Sequence, residues 1–210
     1  MKVPRRTIGD SNKTRIESDV LTDEILFYRA NEKPYGVFSN LYPRTIAFEG
    51  RQFPTAEHAY QAGKARKEDV REWILSAPTP SLVAMAAHGL YTWDIVSNWS
   101  QIKFDRMRAV LRAKFTQHDD LGRILLSTGN ARLVEAARVS NGVNRTWGEV
   151  NGKGLNMLGV LLMELRGELR AKEGQRDGTH KDKSNRHQGE PSEAKAIAEA
   201  LRKRSSTATA

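Results

Sequence analysis

Hydrophobic and polar positions change rhythm several times along the chain, and each change marks an element. "ILFYR" (25–29) reads as a strand. "RTIAFEGRQFP" (44–54) reads as a hairpin, with Ile46, Phe48 and Phe53 apolar and Glu49-Gly50-Arg51 as the turn. "NEKPYGVFSNLYP" (31–43) has turn residues at both ends. After Pro54 and Thr55, Ala56, Ala59, Tyr60 and Gly63 recur at i, i+3, i+4, i+7, which predicts a helix over 55–67. A second helix around Trp73–Leu75 stops at "APTP", and a third, "SLVAMAAHG", runs from Ser81 to a stop at Gly89. The longest predicted helix spans about Asn98 to Phe115. Its inward stripe is Met107, Val110, Leu111 and Phe115, with Lys103, Arg106, Arg108, Arg112 and Lys114 mostly on other faces.

Downstream, "DDLGRILLST" (119–128) fits a short helix and "ARLVEA" (131–136) a strand. A glycine-rich loop, "NGVNRTWGEVNGKGLN" (141–156), leads into a helix with the core stripe Leu158, Leu161, Leu162, Leu165 and Leu169. Few strands and several helices, without βαβ alternation, predict an α+β fold: one mainly helical domain with a small antiparallel sheet. The expected domain covers 23–172, between a disordered arm at 1–22 and a disordered basic tail at 173–210. Within that tail Ala194, Ile197, Ala198 and Leu201 share one face, a short amphipathic helix that a protein partner would order.

Composition narrows the setting. The 210 residues are 39% apolar with four Trp, enough to bury a core; Trp73 and Trp93 are expected in it. With no Cys, the chain has no disulfide or thiolate metal site. The first 20 residues lack the apolar run of a secretory signal, and no apolar run reaches membrane-span length, so a cytoplasmic protein is expected. The net charge is +9, but residues 1–20 carry five Lys/Arg against three acids and residues 171–210 nine against six. The 60 residues of the tails therefore supply five of the nine charges. Contact with DNA or RNA is possible on this balance and not required by it.

Candidate chemistry begins with Glu57-His58, which resembles half of an H-E-x-x-H zinc site. The second His is missing, and the five His share no ligand spacing, so neither metal nor cofactor is expected. No G-x-S-x-G elbow is present. The glycine loop matches neither a P-loop nor a dinucleotide fingerprint, and a turn is its simpler reading. Trp99 at the mouth of the long helix, and Trp147 among glycines and polar residues, are candidate platforms for a nucleobase, with Glu149 two residues beyond Trp147. Glu57 stands in the first turn of its helix, where the dipole favours an ionised carboxylate. Such a carboxylate beside a stacking aromatic suits cleavage of a ribosyl N-glycosidic bond through an oxocarbenium-like state. On spacing alone, however, Glu57, Gln61 and Lys64 form an ordinary solvated stripe, and that reading is the more economical.

"ILFYR", "YGVFSNLYP", "FEGRQFPTAEHAYQAGKA", "NWSQIKFDRMRAVLRAKF" and "TWGEVNGKGLNMLGVLLMELR" occur in the order found in the NADAR (YbiA-like) family, which the chain resembles over roughly residues 25–170. The resemblance implies an α+β fold and a hydrolase of ribosyl N-glycosidic bonds. One branch of the family acts on phosphoribosylamino-pyrimidine intermediates of riboflavin synthesis; other members remove ADP-ribose from guanine in nucleic acid. It also implies that Glu57 and Glu149 are catalytic and that Asn40, Lys64, Trp99, Trp147 and Asn156 bind substrate. This sequence departs from the pattern at Glu149, where an aspartate is expected. Its glycine loop is one residue shorter than in the enterobacterial type. At Val96-Ser97-Asn98 basic residues are expected, and their absence favours the ADP-ribosylated guanine substrate over the riboflavin intermediates. A module that binds ADP-ribose or a nucleotide without turnover is the reading from a different class.

Overall fold

The computed structural model describes residues 23–187, the last twelve as backbone only. In chain order the elements are β1 (Glu24–Phe27), a 3-10 turn (Tyr35–Phe38), β2 (Ile46–Phe48), β3 (Arg51–Phe53), α1 (Ala56–Ala62), α2 (Glu68–Leu75) and α3 (Pro80–His88). A second 3-10 turn (Thr92–Asp94) precedes α4 (Trp99–Gln117), α5 (Asp119–Ser127), β4 (Arg132–Glu135), α6 (Gly142–Trp147) and α7 (Met157–His187). The fold is α+β and mainly helical, as expected. The antiparallel hairpin pairs Ile46 with Phe53 across a turn in which Glu49 and Gly50 are both left-handed. The strands β1 and β4 form a second, parallel pair, with Phe27 opposite Glu135.

The core lies between α4 and α7. Met107, Val110, Leu111 and Phe115 pack with Leu158, Leu161, Leu162 and Leu165, and Phe27 and Phe38 close the cluster from the β1 side. Lys114 departs from the expected pattern, for it is fully buried. It follows Val110 by four residues and Met107 by seven, so helical periodicity turns it inward although its charge suggests otherwise. Its ammonium donates to the carbonyl oxygens of Val37 (2.6 Å) and Ser39 (2.8 Å). Burial lowers its pKa to about 7.

Three other expectations change. Trp73 and Trp93 are not core: they are 57% and 62% exposed. The cap of α3 is Thr79, which accepts from the Leu82 N–H with Pro80 in the first turn, so the helix starts before Ser81. The glycine loop contains α6, and Trp147 is its last residue. In addition, α7 continues past the expected boundary at 172 to His187. Lys, Glu, Arg and Gln are good helix formers even where nothing apolar is buried, and the first proline after α7 begins is Pro191. The arm at 1–22 and the stripe Ala194 to Leu201 lie outside the described residues.

The element that matters most is α1, whose seven residues are all buried. So short a helix is not stable alone, and burial removes water from both of its ends. Other residues take water's place. At the start, Asn40 O accepts from the Glu57 N–H (3.0 Å), and the Thr55 hydroxyl accepts from that of His58. At the finish, Arg106 donates to the carbonyls of Ala59 (2.7 Å) and Tyr60 (3.0 Å), and Arg71 to that of Ala62 (2.9 Å). The Arg106 guanidinium crosses where a side chain at position 63 would project, which is why glycine stands there. Gly63→Ala should therefore displace Arg106 and lower stability by about 1–3 kcal/mol. Denaturant unfolding measures this, and an unchanged midpoint would show that Arg106 does not hold α1.

Candidate active site

A cavity of about 730 Å³ opens beside α1. Glu57, Tyr60, Gln61 and Lys64 form its floor; Trp99, Lys103 and Met107 of α4 form one wall. Pro80, Ser81, Ala84 and His88 of α3, residues 28–31 and 39–41, and Glu135 with Asn144, Thr146 and Trp147 complete the lining. The stripe Glu57, Gln61, Lys64 is not solvated: the three residues are 8%, 3% and 9% exposed.

Burial decides the state of Glu57. Its carboxyl is pushed up to about 7 by loss of water, against the opposing effect of the Gln61 amide, which donates to it at 2.7 Å. Burial thus opposes the ionised form that the helix start was expected to favour, and the group titrates near neutrality. Tyr60, one helical turn further on, has its phenol pKa raised by burial and by the Glu57 charge. The Tyr60 ring contacts Trp99 (centroids 5.2 Å apart) and meets Trp147 edge-on at 5.5 Å, and Trp147 also meets Phe104 at 5.4 Å. Both tryptophans line the cavity, braced by neighbouring rings. Lys64 also lines it, with its ammonium donating to Ala87 O (2.6 Å) and its pKa lowered by burial. Asn40 donates to the Met107 sulfur at 3.1 Å.

The second carboxylate of the cavity is Glu135, which the sequence reading missed. Its pKa is raised to about 7, first by burial and then by the Glu57 charge. One signal was available: in "RLVEA" strand alternation puts Glu135 on the face of the fully buried Leu133. Glu149 is not among the cavity-lining residues; its carboxylate pairs with Arg132, which also holds Glu24. The reason is backbone pairing. The Glu149 N–H donates to Glu135 O (2.8 Å) and its carbonyl accepts from Ala137, so residue 149 extends the β1–β4 sheet. Gly148 allows this approach, since a side chain there would collide with Glu135 O.

Asn156 is likewise outside the cavity lining, and it holds β4 in place. Buried at φ +49°, it donates to Leu133 O (2.7 Å) and accepts from the Glu135 N–H (3.1 Å), filling the edge that another strand would occupy. The glycine-rich segment thus fixes the backbone that carries Glu135. Among the described residues no three His, Asp or Glu gather as a metal site, and no helix is long and apolar enough to cross a membrane.

Residues 26–170 match the NADAR domain family. The chain belongs to it. An N-glycosidase YbiA of Shigella flexneri is 40% identical over 151 residues, covering 71% of this chain and 91% of the relative. A riboflavin biosynthesis protein of Vibrio vulnificus is 32% identical over 155 residues, 73% of this chain and 41% of the relative. The NMR structure of Escherichia coli YbiA superposes with a TM-score of 0.64 at 38% identity, covering 76% of this chain and 92% of that one. This NADAR protein is accordingly a hydrolase of the N-glycosidase class.

The two raised carboxyls carry a pH signature. Each is protonated in the folded chain between its ordinary 4.5 and about 7 and ionised in the unfolded chain. Their contribution to stability is complete below pH 4.5 and lost as the pH rises through about 7. Glu57→Gln removes one of them. The melting temperature of this variant relative to the parent should be higher at about pH 8 than at about pH 5. Calorimetry at the two values checks this, and an offset independent of pH would mean that Glu57 is well solvated.

Proposed function

We propose that this N-glycosidase hydrolyses a ribosyl bond to a nucleobase-type nitrogen, with Glu57 and Glu135 as its two catalytic carboxyls. One observation carries the reading: both carboxyls line a single aromatic-walled cavity, and the Glu57 charge adds to burial in raising the proton affinity of Glu135. Two coupled carboxyls of this kind share one proton near neutrality. The Gln61 amide favours the ionised form at Glu57, whereas Glu135 has burial and the Glu57 charge against ionisation, so the proton belongs on Glu135.

In the reaction the bond between ribosyl C1′ and the base nitrogen breaks with its electron pair on nitrogen, which takes the proton of Glu135. The Glu57 carboxylate stabilises the oxocarbenium-like centre and accepts a proton from the water whose oxygen bonds to C1′. Trp99 and Trp147 offer ring faces to the base. Asn40 and Lys64 belong to the polar wall, and Asn156 and Gly148 position Glu135.

ADP-ribosylated guanine in nucleic acid is the leading substrate. The cavity, at about 730 Å³, lies in the upper part of the roughly 300–1,000 Å³ range of ligand sites and suits more than a single phosphoribosyl group. The likeness to a riboflavin biosynthesis protein favours a second substrate, a phosphoribosylamino-pyrimidine. A module that only binds ADP-ribose has no use for two cavity carboxyls that are raised to about 7. Offering ADP-ribosylated oligonucleotide, phosphoribosylamino-pyrimidine and free ADP-ribose separates the three, because release and retention are distinct outcomes. Glu57→Gln and Glu135→Gln should each lower kcat by about 10²–10⁴-fold while substrate still binds. The parent pH profile should be bell-shaped around neutrality and lose one limb in each variant. Full turnover in either variant would remove that residue from the mechanism.

A further inference from the structure

Outside the cavity, the rings of Tyr91 and Trp93 lie face to face, with centroids 4.5 Å apart and planes 9° from parallel. They are 65% and 62% exposed and belong to neither hydrophobic cluster of the described residues. The turn that carries them is held firmly. Asp94 N–H donates to Tyr91 O (3.0 Å), Arg66 N–H to Asp94 O (2.7 Å) and Val96 N–H to Lys64 O (3.1 Å), and Ala65 bridges Ile95. Segments 64–67 and 92–96 thus form one short ribbon. At one end of it Lys64 lines the cavity. Across from the turn with the rings, the ribbon carries Arg66 and Lys67, both exposed. The acid of the same turn, Asp94, is largely covered, and its carboxylate lies 4.0 Å from the Lys67 ammonium.

We propose that the Tyr91–Trp93 stack, with Arg66 and Lys67, is a docking platform for single-stranded nucleic acid, holding bases next to the one presented to the cavity. The proposal rests on the N-glycosidase reading and adds the kind of molecule that carries the scissile bond. A parallel ring pair fixed on a rigid turn is a ready stacking surface for a further flat ring, and every nucleobase offers one. Two cations on the same ribbon complement the phosphates between successive bases. A small riboside held in the cavity would reach neither. The flat stack with these cations fits nucleic acid better than a protein surface, which favours apolar pockets with a polar rim.

The test uses the full chain and an unmodified, fluorescently labelled single-stranded oligonucleotide, with binding followed by anisotropy at several salt concentrations. Trp93→Ala should weaken binding on the order of tenfold, and Trp93→Phe should retain most of it. Replacing Arg66 and Lys67 together by Gln should flatten the salt dependence by up to about two in slope. Hydrolysis of a small N-riboside and the melting temperature should be unchanged in the three variants, since the three side chains they replace are exposed. Equal affinity of the parent and Trp93→Ala would overturn the proposal. So would a parent that does not bind the oligonucleotide, which would leave the surface to a protein partner. The probe has no scissile bond, so these failures leave the hydrolase reading intact. Inactivity on every ribosyl substrate, with Trp93-dependent binding retained, would overturn that reading alone.

Discussion

Glu57 sits where water does not solvate its carboxylate, and the surrounding structure is arranged to keep it there. The helix that carries it has seven buried residues and no capacity to stand alone. Its amide groups are met by Asn40 and Thr55, and its carbonyls by Arg106 and Arg71. Those contacts impose further requirements. Arg106 needs Gly63 beneath it and Glu49 beside it, and Glu49 is presented by the tight turn of the hairpin. The segment that contains Asn40 is held in turn by Lys114, whose ammonium reaches Val37 and Ser39 from inside α4. Strand, hairpin and long helix thus meet at one short helix.

Two effects compete for the charge on Glu57, and their sizes decide the outcome. The helix start favours the carboxylate by about 0.3–1 kcal/mol at an exposed site, and at most about 2 where partly buried. Burial raises a carboxyl by up to several pKa units, each worth about 1.4 kcal/mol. Burial wins, and the pKa rises to about 7 even with an amide donor on the carboxylate. A position that favours charge in a solvated helix therefore holds a group poised to exchange protons near neutrality. Glu135 is raised to a similar value, partly by Glu57 itself, so the two behave as a pair.

Much of this was legible in the sequence. The strands, the hairpin and every helix but α6 were announced by periodicity, and Glu57, Trp99 and Trp147, singled out by motif, all line the cavity. What escaped notice has a common physical origin, because single-residue polarity is a poor guide wherever a polar group finds a buried partner. Lys114 follows the apolar stripe in register, yet its charge assigns it to the surface; two backbone carbonyls reverse that. Gln61 and Lys64 look like a solvated stripe because nothing in their spacing says that α3 covers them. Trp73 and Trp93 show the converse error, since large apolar rings are usually buried and these are not. Glu149 and Glu135 differ by a pairing made through backbone alone, Glu149 to Glu135 across the end of β4, which sequence spacing does not encode. Asn156, expected among the substrate-binding residues, bonds to the edge of β4 outside the cavity lining, a position that spacing does not encode.

The distribution of unfavourable groups gives a last argument for where the function lies. Among the described residues, two buried side-chain atoms lack a hydrogen-bond partner, Asn40 Oδ1 and Gln61 Oε1, and both residues line the cavity. A desolvated, unpaired acceptor lowers stability by about 1–3 kcal/mol, and a buried ionisable carboxyl adds to that above its pKa. Elsewhere the interior is paired: Lys114, Arg166, Thr128 and Asn156 all have partners. A fold able to satisfy a lysine in its core does not leave polar groups unsatisfied for want of partners. Their concentration around Glu57 and Glu135 marks a surface shaped for something other than stability. Changes that relieve it, such as an apolar residue at Gln61 or an amide at Glu57, should make the protein more stable and its chemistry poorer.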